Sequence, residues 1–231
     1  MRRLLLLALL AALLACRGAG APTPATLTPE DILKRAGQAM GRLESFHFQM
    51  RHEGGTTPLM PGLDLIAVDG DVVHPGRMKA TLGVKASGYA GEMFLSIDIV
   101  TIGDTTWMGG LFPGRWTAQP ASVSPAGFFD PDAGMKAILE ALTELALLPE
   151  TKADGASAYR LSGKVDAEAL RPVVGHPVPG AVPVEVWISQ ADYRVLRLRL
   201  QGRLVEGDSE DISRIIDLSR FDEPVAIEPP Q

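Results

Sequence analysis

The sequence predicts an α+β fold in which helices cover one face of an antiparallel sheet. Three observations carry that expectation. Several separate runs alternate apolar and polar residues with a period of two, and two other segments repeat apolar residues at helical spacing. The order of segments is helix, strands, helix, strands, without the βαβ alternation that a parallel sheet requires.

The chain opens on Met1-Arg2-Arg3 and an almost pure Leu/Ala run from Leu4 to Leu14. A short positive start followed by an apolar stretch of this length reads as a signal peptide over residues 1–15. The run is too short to span a bilayer, which takes roughly 20 apolar residues. Leu13-Leu14-Ala15-Cys16 resembles the lipobox of bacterial lipoproteins, which marks Cys16 for lipidation and the protein for anchoring on the extracytoplasmic side of a cell membrane. Cys16 is the only cysteine, so no intramolecular disulfide can form even in an oxidising compartment, and the core must hold without one. Residues 16–27, rich in Gly, Ala, Pro and Thr, read as a lipidated flexible tether, and residues 28–231 as a single domain.

The formal net charge is −6, and removal of Arg2 and Arg3 makes the mature chain more acidic still. An acidic surface without Lys/Arg clusters argues against a nucleic-acid partner, because phosphate neutralisation needs concentrated positive charge.

Thr28-Pro29-Glu30-Asp31 predicts a helix start: an N-cap hydroxyl, proline at the first helical position and two acids in the first turn. Ile32, Leu33, Ala36, Met40 and Leu43 give that helix one apolar face. Strand patterns dominate afterwards. Phe46, Phe48 and Met50 alternate with His47, Gln49 and Arg51, and Met93, Leu95, Ile97 and Ile99 with Glu92, Ser96 and Asp98. Val182, Val184, Val186 and Ile188 flank Glu185, and Leu196, Leu198 and Leu200 alternate with Arg197 and Arg199. Gly70-Asp71, Gly103-Asp104, Gly109-Gly110, Gly163 and Gln190-Ala191-Asp192 read as turn-like breaks. A central helix is expected from Pro131-Asp132 through Met135, Ile138, Leu139, Leu142 and Leu145 to Pro149, with a shorter turn starting at Asp166. Thr56 to Gly62, with Leu59-Met60 between prolines, reads as a surface loop, and alternatively as a flap at the mouth of a cavity.

The residues that could carry chemistry form no recognisable catalytic or metal constellation. His47 and His52 stand five apart on a predicted strand, hence on opposite faces, and neither they nor His74 and His176 form an HxH or HExxH arrangement. Asp69-Gly70-Asp71 and Asp208 with Glu210 and Asp211 lack the spacing of a calcium loop and read as polar turns. Glu140 and Glu144, four apart on the expected central helix, read as its solvent face. With no GxSxG elbow, phosphate loop or dinucleotide fingerprint, neither an enzyme nor a cofactor is expected.

The lipobox, the helix followed by Leu43-Glu44-Ser45-Phe46-His47-Phe48, the Leu-rich central segment, Tyr159-Arg160-Leu161-Ser162-Gly163, Val184-Glu185-Val186-Trp187-Ile188 with Tyr193-Arg194-Val195, and the closing Phe221-Asp222-Glu223-Pro224-Val225 occur in order over nearly the whole chain. Together they resemble the LppX/LprAFG lipoprotein family, whose members share a shape with the LolA and LolB carriers. That resemblance implies a strongly curved antiparallel sheet, an open half-barrel, with helices over its concave face and an apolar cavity between. It also implies a protein that binds acyl chains of a lipid or lipoprotein and carries them between envelope sites.

On that basis the nominated concave-face residues are Phe46, Phe48, Met50, Met93, Leu95, Ile97, Val184, Val186, Leu198 and Leu200, with Ile138 and Leu142 from the covering helix. Methionine among them suits irregular apolar ligands. The implied partners are an acyl lipid, the membrane through Cys16, and an envelope transporter. Two alternatives stand beside this reading: an interaction lipoprotein that docks an envelope protein without a lipid ligand, and a sensor domain that reads a bound lipid.

Overall fold

The computed structural model describes residues 27–88, 91–110, 114–120 and 134–231. Cys16, the signal peptide, all of the tether but Leu27, and Pro131-Asp132 lie outside the described residues.

Helix α1 (Pro29–Met40) begins as its sequence predicts. The Thr28 hydroxyl accepts from the Asp31 backbone N–H at 3.1 Å, and the Asp31 carboxylate accepts from the Thr28 N–H at 3.4 Å, a reciprocal capping box. Ile32, Leu33, Ala36 and Met40 form its buried stripe, and Leu43 follows them into the core.

The strands are β1 (Ser45–Glu53), β2 (Thr57–Met60), β3 (Leu63–Val73), β4 (Arg77–Gly88), β5 (Gly91–Ile102), β6 (Thr105–Gly109) and β7 (Thr117–Pro120). Helix α2 (Met135–Glu140) then precedes β8 (Thr143–Ala153) and β9 (Ala156–Asp166). A 3-10 turn (Ala167–Leu170) runs into α3 (Arg171–Val174), followed by β10 (Ala181–Ser189), β11 (Val195–Gln201) and β12 (Ser213–Ser219).

They make one 12-stranded sheet of order β7-β6-β5-β4-β3-β1-β12-β11-β10-β9-β8, with β2 on β3, and every pairing is antiparallel. Each half of the chain is a meander, and the two meanders join where the first strand meets the last, with Phe48 opposite Leu218 and Met50 opposite Ile216. A single hydrophobic cluster takes side chains from β3, β4 and β5 on one flank and from β9, β10 and β11 on the other. Residues so far apart along the sheet reach one core because the sheet curls into an open half-barrel, with α1 and α2 packed on its inner face and against each other.

Several expectations are corrected. The central helix ends at Glu140, and Thr143 to Ala153 is a strand. The Leu145-Ala146-Leu147-Leu148 run that extended the helical pattern pairs with β9 instead. Pro149 lies where the β8–β9 register shifts, on a strand with no further described neighbour, a position where its missing N–H costs no ladder bond. Glu140 and Glu144 therefore do not share a helix face; Glu144, at φ 52°, pairs with Lys164 at 2.7 Å.

Gly70 and Gly163 lie inside β3 and β9 and break neither. A Cβ on Gly70 would stand 2.6 Å from the Lys79 carbonyl oxygen and 2.9 Å from the Phe48 ring, so glycine makes room for the aromatic ring on the inner face. The segment Thr56 to Gly62 is mostly strand: β2 turns into β3 through Gly62, whose φ of +80° suits glycine. Asp166 caps the 3-10 turn as its position predicts, accepting from the Glu168 N–H at 2.9 Å.

Candidate functional site

The inner face is apolar from one flank of the sheet to the other, apart from one polar cluster around Arg214 on β12. Period-two alternation points Phe46, Phe48 and Met50 inward on β1, and the register sets Val72 beside Phe46 and Val68 beside Met50. On β4 and β5 the inward pairs are Ala80 with Ile99, Leu82 with Ile97 and Val84 with Leu95. Beyond the β1–β12 junction they are Ile216 with Leu198, Leu198 with Val186, and Leu200 with Val184. Met135, Ile138 and Leu139 of α2 and the stripe of α1 close over these rows.

Of the residues nominated from sequence, Phe46, Phe48, Ile97, Ile138, Leu142, Val184, Val186, Leu198 and Leu200 meet in this core, and Met50 and Leu95 pack at its margin half-buried. Met93 does not join them. It follows Ala86 outward along the inner row, past the cover of the helices, and is 58% exposed.

The opposite face is a lattice of charges. Arg51 and Arg197 both pair with Asp217, Gln49 donates to Asp69 at 2.7 Å, and Arg160 donates to Glu185 at 2.7 Å. The guanidinium groups of Arg160 and Arg197 lie over the Trp187 ring at 5.2 and 5.9 Å. His47 belongs to this face, beside Asp71 at 2.9 Å, while His52 points inward, so the two histidines stand on opposite faces. A cleft of about 350 Å³ is lined by Gln49, Arg51, Asp69, Thr81 and Ser96 of the charged side and also reaches Met50 and Val68.

One polar cluster is buried at the inner face's β12 end, and the sequence did not disclose it. Asp208, read as part of a polar turn, has a fully buried carboxylate that accepts from both Nη2 of Arg214, at 2.6 Å, and the backbone N–H groups of Leu204 and Val205. Arg214 Nε donates to Thr57 Oγ1 at 3.0 Å. His52 Nε2 lies 2.8 Å from the same hydroxyl, and Nδ1 lies 2.7 Å from the Ile66 carbonyl oxygen. The carbonyl can only accept, so Nδ1 carries the proton and Nε2 accepts from Thr57, a neutral imidazole at the end of a directed chain. Burial holds its pKa below the usual 6.5, with the nearby Arg214 charge adding to the shift. The only sequence signal for this cluster was Arg214 standing at an inward position of an apolar strand.

Fold and site together define a half-barrel whose distinguishing surface is a broad apolar interior and whose polar groups serve to hold that shell together. The family model described as LppX_LprAFG lipoprotein matches residues 28–227, and the chain belongs to that family. The lipoarabinomannan carrier protein LprG of Mycobacterium leprae is 26% identical over 208 residues, covering 86% of this chain and 81% of that protein. LprG of Mycobacterium tuberculosis H37Rv is 26% identical over 220 residues, covering 91% and 84%. Among solved structures, LprF of Mycobacterium bovis superposes with a TM-score of 0.69 at 21% identity, covering 91% of this chain and 99% of that one. LppX of Mycobacterium tuberculosis gives 0.59 at 19% identity, covering 87% and 100%. These two likenesses establish the half-barrel fold.

Proposed function

We propose that this protein is a membrane-anchored lipoprotein, acylated on Cys16, that takes the acyl chains of an envelope lipid against its apolar inner face and carries them between envelope sites. The observation that carries this reading is the continuity of that face: apolar rows run without a charged interruption from Phe46 and Val72 through the core to Leu95, and on to Met93 at the open end. An acyl chain crossing water needs such a sheath, since each methylene removed from water is worth about 0.8 kcal/mol. That the LprG relatives are lipoarabinomannan carrier proteins supports a ligand of the lipid class.

The reading needs no catalytic group, because a carrier binds through shape and apolar area. Its test is uptake of a fluorescent fatty-acyl probe by residues 26–231. Met50→Trp and Leu95→Trp place bulk at the half-buried margin of the inner face. Each is expected to weaken probe binding at least about tenfold with the far-UV circular dichroism unchanged. Unaltered binding in both, or no binding by the unsubstituted domain, contradicts the proposal.

A further inference from the structure

Of the five exposed large apolar residues of the described surface, four stand together, the fifth being Leu147 on β8. Leu59 and Met60 stand at the end of β2, and Met93 and Phe94 at the start of β5, with exposures of 44, 61, 58 and 70%. Cross-strand register brings them together: Met60 lies opposite Leu63, Leu63 opposite Ala86, and Ala86 opposite Met93, a continuous row across β2, β3, β4 and β5. Phe94, opposite Lys85, projects from the other side of the same ribbon. We infer that this end of the half-barrel inserts into the surface of a lipid bilayer, an inference that rests on the proposed lipid-carrying role.

Three features favour a bilayer over a protein surface. The apolar side chains leave the ribbon on both faces, Met60 and Met93 on the inner side and Phe94 on the outer. A rigid partner docked on one face would leave the other in water, whereas a bilayer surrounds both. The local charges are close to cancelling, since Lys85 lies 3.2 Å from Glu92 and 3.9 Å from Asp64. That leaves a single net negative charge and no charged patch for an acidic or basic partner to recognise, and Lys85 can lay its stem beside Phe94 on the outer side of the ribbon with its head at the water interface. The inward row of Met93, Leu95 and Ile97 passes from this exposed end into the buried core. Seated in the bilayer, it would give an acyl chain an apolar route that never crosses water. Eleven residue-to-residue steps separate Cys16 from Leu27, at most about 40 Å when fully extended, so an anchored domain stays within reach of the membrane.

The test uses the full chain carrying its lipid anchor, with Met60→Cys or Phe94→Cys as the thiol-reactive position and Lys152→Cys, exposed at the far end of β8, as the control. Each is labelled with an environment-sensitive fluorophore and placed on phosphatidylcholine vesicles that contain a doxyl quencher lipid. Quenching at positions 60 and 94 several-fold above position 152, and unchanged when salt is raised, is expected for apolar insertion. Quenching no greater than at 152, or abolished by salt, overturns the inference. If positions 60 and 94 are quenched while the protein takes up no acyl probe, bilayer contact stands and the carrier role falls. If the probe is taken up while 60 and 94 match 152, bilayer contact falls alone.

Discussion

Asp208 and Arg214 form an ion pair that solvent does not reach, and each carboxylate oxygen has an assigned donor. Such a pair gains little over an apolar replacement, but removal of one partner leaves the other charge buried and uncompensated. Asp208→Asn is therefore expected to destabilise the domain by about 3–5 kcal/mol in urea unfolding; a change within the range of an exposed substitution would show that Arg214 finds another partner. The His52 chain makes a separate, pH-dependent prediction. Its folded pKa lies below 6.5, so the unfolded state binds the proton first. The stability it contributes is whole above that value and is lost as pH falls through the folded pKa. The melting temperature should drop between about pH 7.5 and about pH 5, and His52→Gln should shrink that drop. An equal drop in the variant would assign the acid sensitivity to other groups.

Among the elements, α1 was legible because its signals are local: a cap, a proline and acids in the first turn, and a repeat that ends within one helix. The inner strands were legible from alternation, since β1, β5, β10 and β11 each bury one face. Glycines misled because their effect depends on neighbours across the sheet. Gly70 reads as a turn along the chain, yet its role is set by Phe48 and Lys79, distant in sequence and adjacent in register. Gly70→Ala should cost about 1–3 kcal/mol through overpacking, read from the denaturation midpoint, and a neutral result would mean that the Phe48 ring has room to shift. The β8 misreading has a similar source: Leu145, Leu147 and Leu148 carry apolar character without a period long enough to separate helix from strand. Leu147 is exposed on a strand with no further described neighbour, so burial could not mark its face.

At the scale of the whole molecule, the half-barrel follows from two antiparallel meanders that meet at β1 and β12 and share one core. The apolar interior was visible in the sequence as alternating runs, and eleven of the twelve nominated side chains lie in or against that core. Met93 lies on the expected face but outside the core, because alternation assigns a face and says nothing of where the covering helices stop. The Asp208–Arg214 pair was hidden for a related reason, since nothing along the chain announces that a polar loop folds under β2.

The central claim, that this interior holds acyl chains, is tested most directly by native mass spectrometry of residues 26–231 purified from a lipid-containing host. A co-purifying mass that dissociates as an acyl lipid is the predicted result. A clean protein mass that stays unchanged when lipid is added would contradict it.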